Sequence, residues 1–262
     1  MGMYARVRYD FYGIGEDAGD AGLSIGIEQE FMLGNVSGLY RVAPAVYVGP
    51  QLLWMQTTAT LRDSAGSGAD PAGDDLAETD LAAPGFIAEL DTRDNDYWPT
   101  AGSLARVKAF FFTDALGGAR AFQRYVAAWS WYGRLRGERL VLATNANAAG
   151  ASGDAPFYAL PSVGAGRFGL RGYTQGRYRD KVMTTVQAEL RFHTRGRFGA
   201  TVFGGFGQVA PTAGEIFEAE VLPAGGMGVR LQLTRGQPIH LRFDYAWGRD
   251  GGLSYFGVTE VF

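Results

Sequence analysis

The chain of 262 residues contains no cysteine, which removes disulfide frameworks, thiolate zinc sites and cysteine nucleophiles together. It has no uninterrupted apolar run near the roughly 18 residues that a membrane-crossing helix needs. Mean hydropathy is -0.07. Histidine occurs only twice, at His193 and His240, each without acids at metal-ligand spacing, so both read as satisfied wall residues rather than a metal site. The net charge of -3 offers no footprint for nucleic acid. Met1 leads straight into a strand pattern with no basic and then apolar leader. If the protein is exported, the expectation is a processed or trimmed chain, or a misplaced start site.

What is present is strand and turn chemistry: 39 Gly, 13 Tyr, 17 Phe and 5 Trp. Near-neutral hydropathy does not argue against a membrane barrel, whose strands of about 10 residues place an apolar side chain at only every second position. Residues 182–193 divide into Val182, Thr184, Val186, Ala188, Leu190 and Phe192 against Met183, Thr185, Gln187, Glu189, Arg191 and His193. Residues 239–248 divide into Ile239, Leu241, Phe243, Tyr245 and Trp247 against His240, Arg242, Asp244, Ala246 and Gly248. One phase is oily and the other mostly polar. Residues 227–233 behave alike, and so do residues 3–11, with Met3, Ala5, Val7, Tyr9 and Phe11 on one side and Tyr4, Arg6, Arg8 and Asp10 on the other. The alternation alone admits a soluble sandwich with the oily phase inside, or a membrane barrel with it outside. Glu189 with Arg191, and Arg242 with Asp244, place both signs of charge along one side of their strands. A wet lumen accommodates that, which favours the barrel.

Counting alternating segments gives about twelve strands, at 2–12, 21–33, 46–61, 86–93, 102–113, 119–132, 139–148, 181–193, 197–209, 224–234, 238–248 and 252–262, with 34–45 ambiguous. Short connections (136–138, 194–197, 234–237) and long ones (62–85, 149–180, 210–223) differ as in an up-and-down barrel, and an even count puts both termini in the periplasm. The expected fold is therefore all-β, a transmembrane antiparallel up-and-down β-barrel formed by one domain over 1–262. The acidic stretch 62–85 reads as a mobile external loop, with Asp70, Asp74 and Asp75 solvated.

Gly164, Gly166 and Gly169 spell a dinucleotide fingerprint but lack the strand before and the helix after that would give it meaning. Ser130, Ser162 and Ser254 have no nucleophile elbow around them. No enzyme activity and no cofactor are expected. Gly251, Gly252 and Gly257 in the last strand hint at a weak closing seam.

Three segments, in this order along the chain, carry a resemblance. Asp91-Thr92-Arg93-Asp94-Asn95 with Pro99 and Gly102 is a polar turn between strands; Leu170-Arg171-Gly172-Tyr173 lies inside the long connection 149–180; and Phe256, Val258 and Phe262 form an alternating aromatic end. Together they resemble the BamA/TamA family of outer-membrane proteins, the bacterial surface antigen superfamily, over essentially the whole chain and over the barrel only. The resemblance implies that the loop carrying Arg171 folds into the lumen and docks on the wall. A buried guanidinium needs carboxylate partners, and Glu189 and Asp244 lie in the polar phase beside Arg191. The family's "FxDxG" element corresponds to Phe203-Gly204-Gly205-Phe206-Gly207, so Gly205 stands where an acid is expected. Phe256, Val258 and Phe262 resemble a barrel-insertion signal, from which Glu260 departs as a charge near the end. The periplasmic POTRA domains of better-known members have no counterpart in this chain.

The resemblance implies a plugged, POTRA-less outer-membrane barrel that handles membrane proteins or lipid, or is structural. Its partners would be the lipid bilayer, the barrel assembly machinery during insertion, and a periplasmic or lipid partner, without nucleic acid. The alternatives are a passive pore, with Arg106, Lys108, Arg191, Arg230 and Arg242 giving anion preference, and an outer-membrane hydrolase.

Overall fold

The computed structural model describes residues 2–18, 24–61, 75–164, 169–194, 196–234 and 239–262. Among them the strands are β1 (Gly2–Phe11), β2 (Ile25–Ser37), β3 (Tyr40–Ala43), β4 (Val46–Leu61), β5 (Asp75–Asp91), β6 (Gly102–Phe112), β7 (Phe122–Arg134) and β8 (Leu140–Gly153). They continue with β9 (Ser162–Val163), β10 (Tyr178–Arg179), β11 (Val182–His193), β12 (Phe198–Ala210), β13 (Leu222–Gln232), β14 (His240–Gly248) and β15 (Gly251–Val258). One sheet takes twelve of them in chain order, all antiparallel, from β1 through β2, β4, β5, β6, β7, β8, β11, β12, β13 and β14 to β15, and β3 pairs on β4. β9 and β10 form a separate two-stranded ribbon within the connection between β8 and β11.

The direction of the faces decides between the two folds that alternation left open. In β11 the buried residues are Met183, Thr185, Gln187, Glu189 and Arg191, while Val186 and Phe192 are exposed. In β14, His240, Asp244 and Ala246 are buried and Phe243, Tyr245 and Trp247 are exposed. The polar phase is thus inside and the oily phase outside, the reverse of a water-soluble sandwich. Trp54, Phe86, Val107, Phe111, Tyr125, Trp129, Val202 and Met227 extend the apolar exterior around the other strands.

The first strands depart from the expected facing. Val7 lies opposite Gln29, which is buried and donates to the Thr57 hydroxyl at 2.9 Å. Tyr9 donates to Gln29 at 3.0 Å, and the Phe11 ring meets Phe157 of the β8–β11 connection at 4.9 Å. The oily phase of β1 therefore points inward, and Arg6 and Arg8 point outward, where they pair with Glu28 and Glu30. Apolar packing on the lumenal connection and this cross-strand charge matching together outweigh the cost of an exterior arginine.

Connections also differ from expectation. β5 begins at Asp75, so much of the stretch read as a long external loop is strand, while 62–74 lies outside the described residues, including Asp70 and Asp74. β8 runs to Gly153, making 149–153 wall rather than loop. The ambiguous 34–45 resolves into the end of β2 and the short β3 hairpin.

The sheet curls on itself. The Gly15 amide, just after β1, donates to the Arg179 carbonyl at 2.8 Å, and Glu16 accepts from the Glu220 amide at the β12–β13 connection at 2.6 Å. Among the described residues, however, no ladder joins β1 to β15: each bonds one neighbour only and leaves its outer edge free. β15 has 8 residues against 13 in β12.

Candidate functional site

The β8–β11 connection turns into the barrel through its apolar side chains. Leu170, Tyr173 and Tyr178 are buried with Val163 against the wall residues Met183, Val209 and Leu222. The Tyr173 hydroxyl donates to the Pro223 carbonyl at 2.7 Å, and the Tyr255 hydroxyl accepts from the Gly172 amide at 2.9 Å. Gly172 has φ +108, and a side chain there would collide with the Trp247 backbone at 2.9 Å, so glycine is required twice over.

Between these anchors Arg171 enters a charged network fixed to three wall strands. It pairs with Glu189 of β11, and with Asp244 of β14 at 2.9 Å. Glu189 also receives Arg191 at 2.8 Å. Asp244 also receives Arg230 of β13 at 2.5 Å and Arg242 at 2.8 Å. Glu260, beyond the end of β15, holds Arg230 at 2.8 Å and lies 3.9 Å from Arg191. Four guanidiniums thus share three carboxylates, and Arg171, Arg191, Arg230, Glu189 and Asp244 are all buried. Charges at this depth persist only where pairing and hydrogen bonding offset the loss of water.

Gly205 explains how the wall manages without an acid at that position. It pairs across the ladder with Gln187, and a side chain on Gly205 would collide with the Val186 carbonyl and the Gln187 side chain. Gln187 instead donates to the Gly169 carbonyl at 2.9 Å and accepts from the Arg171 Nε at 3.4 Å. Phe203 offers its ring face to the Arg171 guanidinium, 3.5 Å from the centroid.

At the end of the barrel that holds the termini, the 92–101 turn forms a second built element. Arg93 forks onto Asp91 at 2.9 and 2.7 Å, and Asn95 accepts from the Tyr97 and Trp98 amides at 2.8 and 2.9 Å. Asp94 accepts from the Thr100 amide at 2.9 Å, the Thr100 hydroxyl at 2.5 Å, the Ala101 amide at 3.1 Å and Arg134 at 2.7 Å. Burial acts to raise the Asp94 carboxyl, but these donors outweigh it and hold it below its ordinary value. Thr92 and Ser103 exchange hydrogen bonds across the turn, and Pro99 lines the adjoining cavity. Gly102, at φ +97, lets the next strand begin where a side chain would strike Thr92.

Sequence reasoning missed Trp98. The turn drives this ring inward to 7% exposure, 4.0 Å from the His193 ring and 4.4 Å from the His240 ring. The two histidines, 5.0 Å apart, are brought together on it. A bulky aromatic inside an otherwise polar turn was the available signal. Between this turn and Arg171 lies a cavity of about 570 Å³, lined among others by Arg106, Ser130, Asn145, Arg242 and Phe262. Of the arginines considered for anion selectivity, Arg106 pairs with Glu89 at 2.5 Å, and Arg191, Arg230 and Arg242 belong to the network. Phe256 and Val258 face outward in β15, whereas Phe262 leaves the strand and its carbonyl accepts from Arg191 at 3.1 Å.

The Omp85 superfamily domain matches residues 10–254. The chain belongs to the Omp85 superfamily. It is accordingly a bacterial outer-membrane β-barrel. Its fold is similar to the crystal structure of BamA from Haemophilus ducreyi lacking POTRA domains 1–3, with a TM-score of 0.65 and 18% identity. That match covers 97% of this chain and 56% of the BamA chain, so this chain spans about half the length of that relative. Pseudomonas aeruginosa OpdL also aligns, over 98% of this chain and 97% of that one, but 11% identity and a TM-score of 0.23 carry nothing about the fold. No curated protein matches.

Proposed function

We propose that this Omp85 barrel passes or inserts polypeptide through the seam between β1 and β15, while the β8–β11 connection, locked by Arg171, fills the lumen and keeps it from conducting. The observation that carries the reading is the free edge on each side of the seam. An unpaired strand edge is a template for a further strand, supplying main-chain hydrogen bonds without demanding a sequence. The exterior beside it supports the same reading. An unpaired arginine on a lipid-facing strand costs about 2–4 kcal/mol at mid-membrane. Here Arg6 and Arg8, paired with Glu28 and Glu30, form a polar patch on the outer face at the seam, poorly suited to lipid and well suited to polypeptide. The partners of this activity are the bilayer, other assembly components and an incoming barrel precursor. Neither a cofactor nor a catalytic group belongs to it.

A photo-crosslinking amino acid placed at Val7 in β1, with Trp129 in the middle of the wall as control, tests the proposal in cells. A pulse-labelled outer-membrane barrel precursor should be captured from position 7 and not from position 129. Equal capture from both positions, or from neither, rejects seam-based handling.

A further inference from the structure

In the half of the lumen away from the termini, a second cavity of about 250 Å³ is lined by Arg124 of β7, Arg179 of β10, Asn147, Tyr158, Ser162 and Gln175, with apolar neighbours. It lies apart from the Arg171 network, and its electrostatics are the reverse. Arg171, Arg191, Arg230 and Arg242 all meet carboxylates, whereas neither Arg124 nor Arg179 forms an ion pair among the described residues. Arg179 is 7% exposed; it donates to the Phe157 carbonyl at 2.9 Å and sits over the Phe11 and Phe157 rings, yet its Nε has no partner among the described residues. The Nε of Arg124 is buried and also without a partner among the described residues. Two guanidiniums, which remain charged at any physiological pH, therefore face one small enclosure with donors unspent.

Two like charges in a confined space repel, and burying them without a counter-charge is costly. An anion between them removes both penalties, and a guanidinium matches the planar, forked geometry of an oxyanion. The volume falls below the range of pockets for drug-sized ligands, which limits the occupant to a small ion. The enclosure is lumenal, between the wall strands β7, β8 and β11 and the β8–β11 connection, and so screened from the bilayer. We infer that the Arg124–Arg179 cavity is a binding site for a small water-soluble oxyanion of the phosphate or carboxylate class. The hydroxyl-bearing side chains Tyr158 and Ser162 also line it.

Equilibrium dialysis of the full chain, folded in detergent, against labelled inorganic phosphate and separately against labelled succinate tests the site, with ionic strength held constant by chloride. Saturable uptake near one ion per chain is expected for one or both probes, weakened at least tenfold in Arg124→Gln and in Arg179→Gln. Heat-modifiable gel mobility reports that each variant is folded, and if Arg179→Gln is not, Arg124→Gln and the wild type suffice. Arg124→Gln should leave the ion-free barrel as heat-resistant as wild type or more so, because it removes an uncompensated cation. Absence of saturable uptake of either ion by the wild type, or uptake unchanged in a folded Arg124→Gln variant, overturns the inference. Because the assay reads only ion uptake, its failure leaves the seam proposal untouched.

Discussion

Replacing Glu189 by glutamine keeps the side-chain shape and removes one negative charge from between Arg171 and Arg191. Four guanidiniums would then share Asp244 and Glu260 alone. Breaking a buried pair by deleting one member costs about 3–5 kcal/mol, because the other member stays charged without compensation. For a domain of this size each kcal/mol lowers the midpoint by roughly 2–4 °C, so the transition should fall by about 6–20 °C. Arg171→Met should cost less. It leaves Arg191, Arg230 and Arg242 facing Glu189, Asp244 and Glu260, a balanced set, and forfeits mainly the stacking on Phe203 and the hydrogen bond that Arg171 donates to Gln187. The assay is the temperature at which the detergent-folded barrel loses its fast-migrating form on gels, measured for both variants and wild type. If Arg171→Met is the more damaging of the two, or if Glu189→Gln is neutral, charge balance is not what holds the connection in place.

Trp98→Ala should lower the same midpoint by about 3 kcal/mol, the scale of emptying an aromatic site, with His193 and His240 losing their shared packing surface. Gly172→Ala should cost about 1–3 kcal/mol from backbone strain and should raise protease cleavage within the β8–β11 connection; an unchanged midpoint and cleavage pattern would contradict the tight fit at Trp247. The lowered Asp94 carboxyl stabilises the folded turn above the ordinary carboxylate range, and this contribution is lost as pH falls through its lower folded value. Asp94→Asn should therefore flatten the pH dependence of the midpoint below about pH 4; an identical slope in both proteins would assign the effect to other groups.

Much of the wall was legible because alternation has period 2 and one face must be wet or oily throughout a strand. Residues 182–193 and 239–248 could be divided into faces from sequence, and the charges on one face selected the barrel. The same rule misplaced β1. Its alternation is clear, but which phase turns inward is decided by Phe157 inside and by Glu28 and Glu30 outside, partners 20 or more positions distant in sequence. Period 2 fixes the pairing of side chains into faces and not the sign of the face. Arg171, Glu189 and Asp244 could be named together because a buried arginine demands acids, whereas the contribution of Glu260 depends on the chain leaving β15 after Val258, with Thr259 at φ +68. Nothing in a linear pattern announces that turn. Arg124 and Arg179, 55 positions apart, likewise meet only through the folded lumen.

Residue-resolved hydrogen exchange of the β1 and β15 amides in detergent micelles tests the free seam most directly. The account predicts that within both strands the alternate amides bonded to β2 or β14 are protected, while those pointing to the seam exchange as fast as loop amides. Protection of every amide along both strands, equal to that in β7 and β8, would mean a closed barrel and would remove the basis for seam-based polypeptide handling.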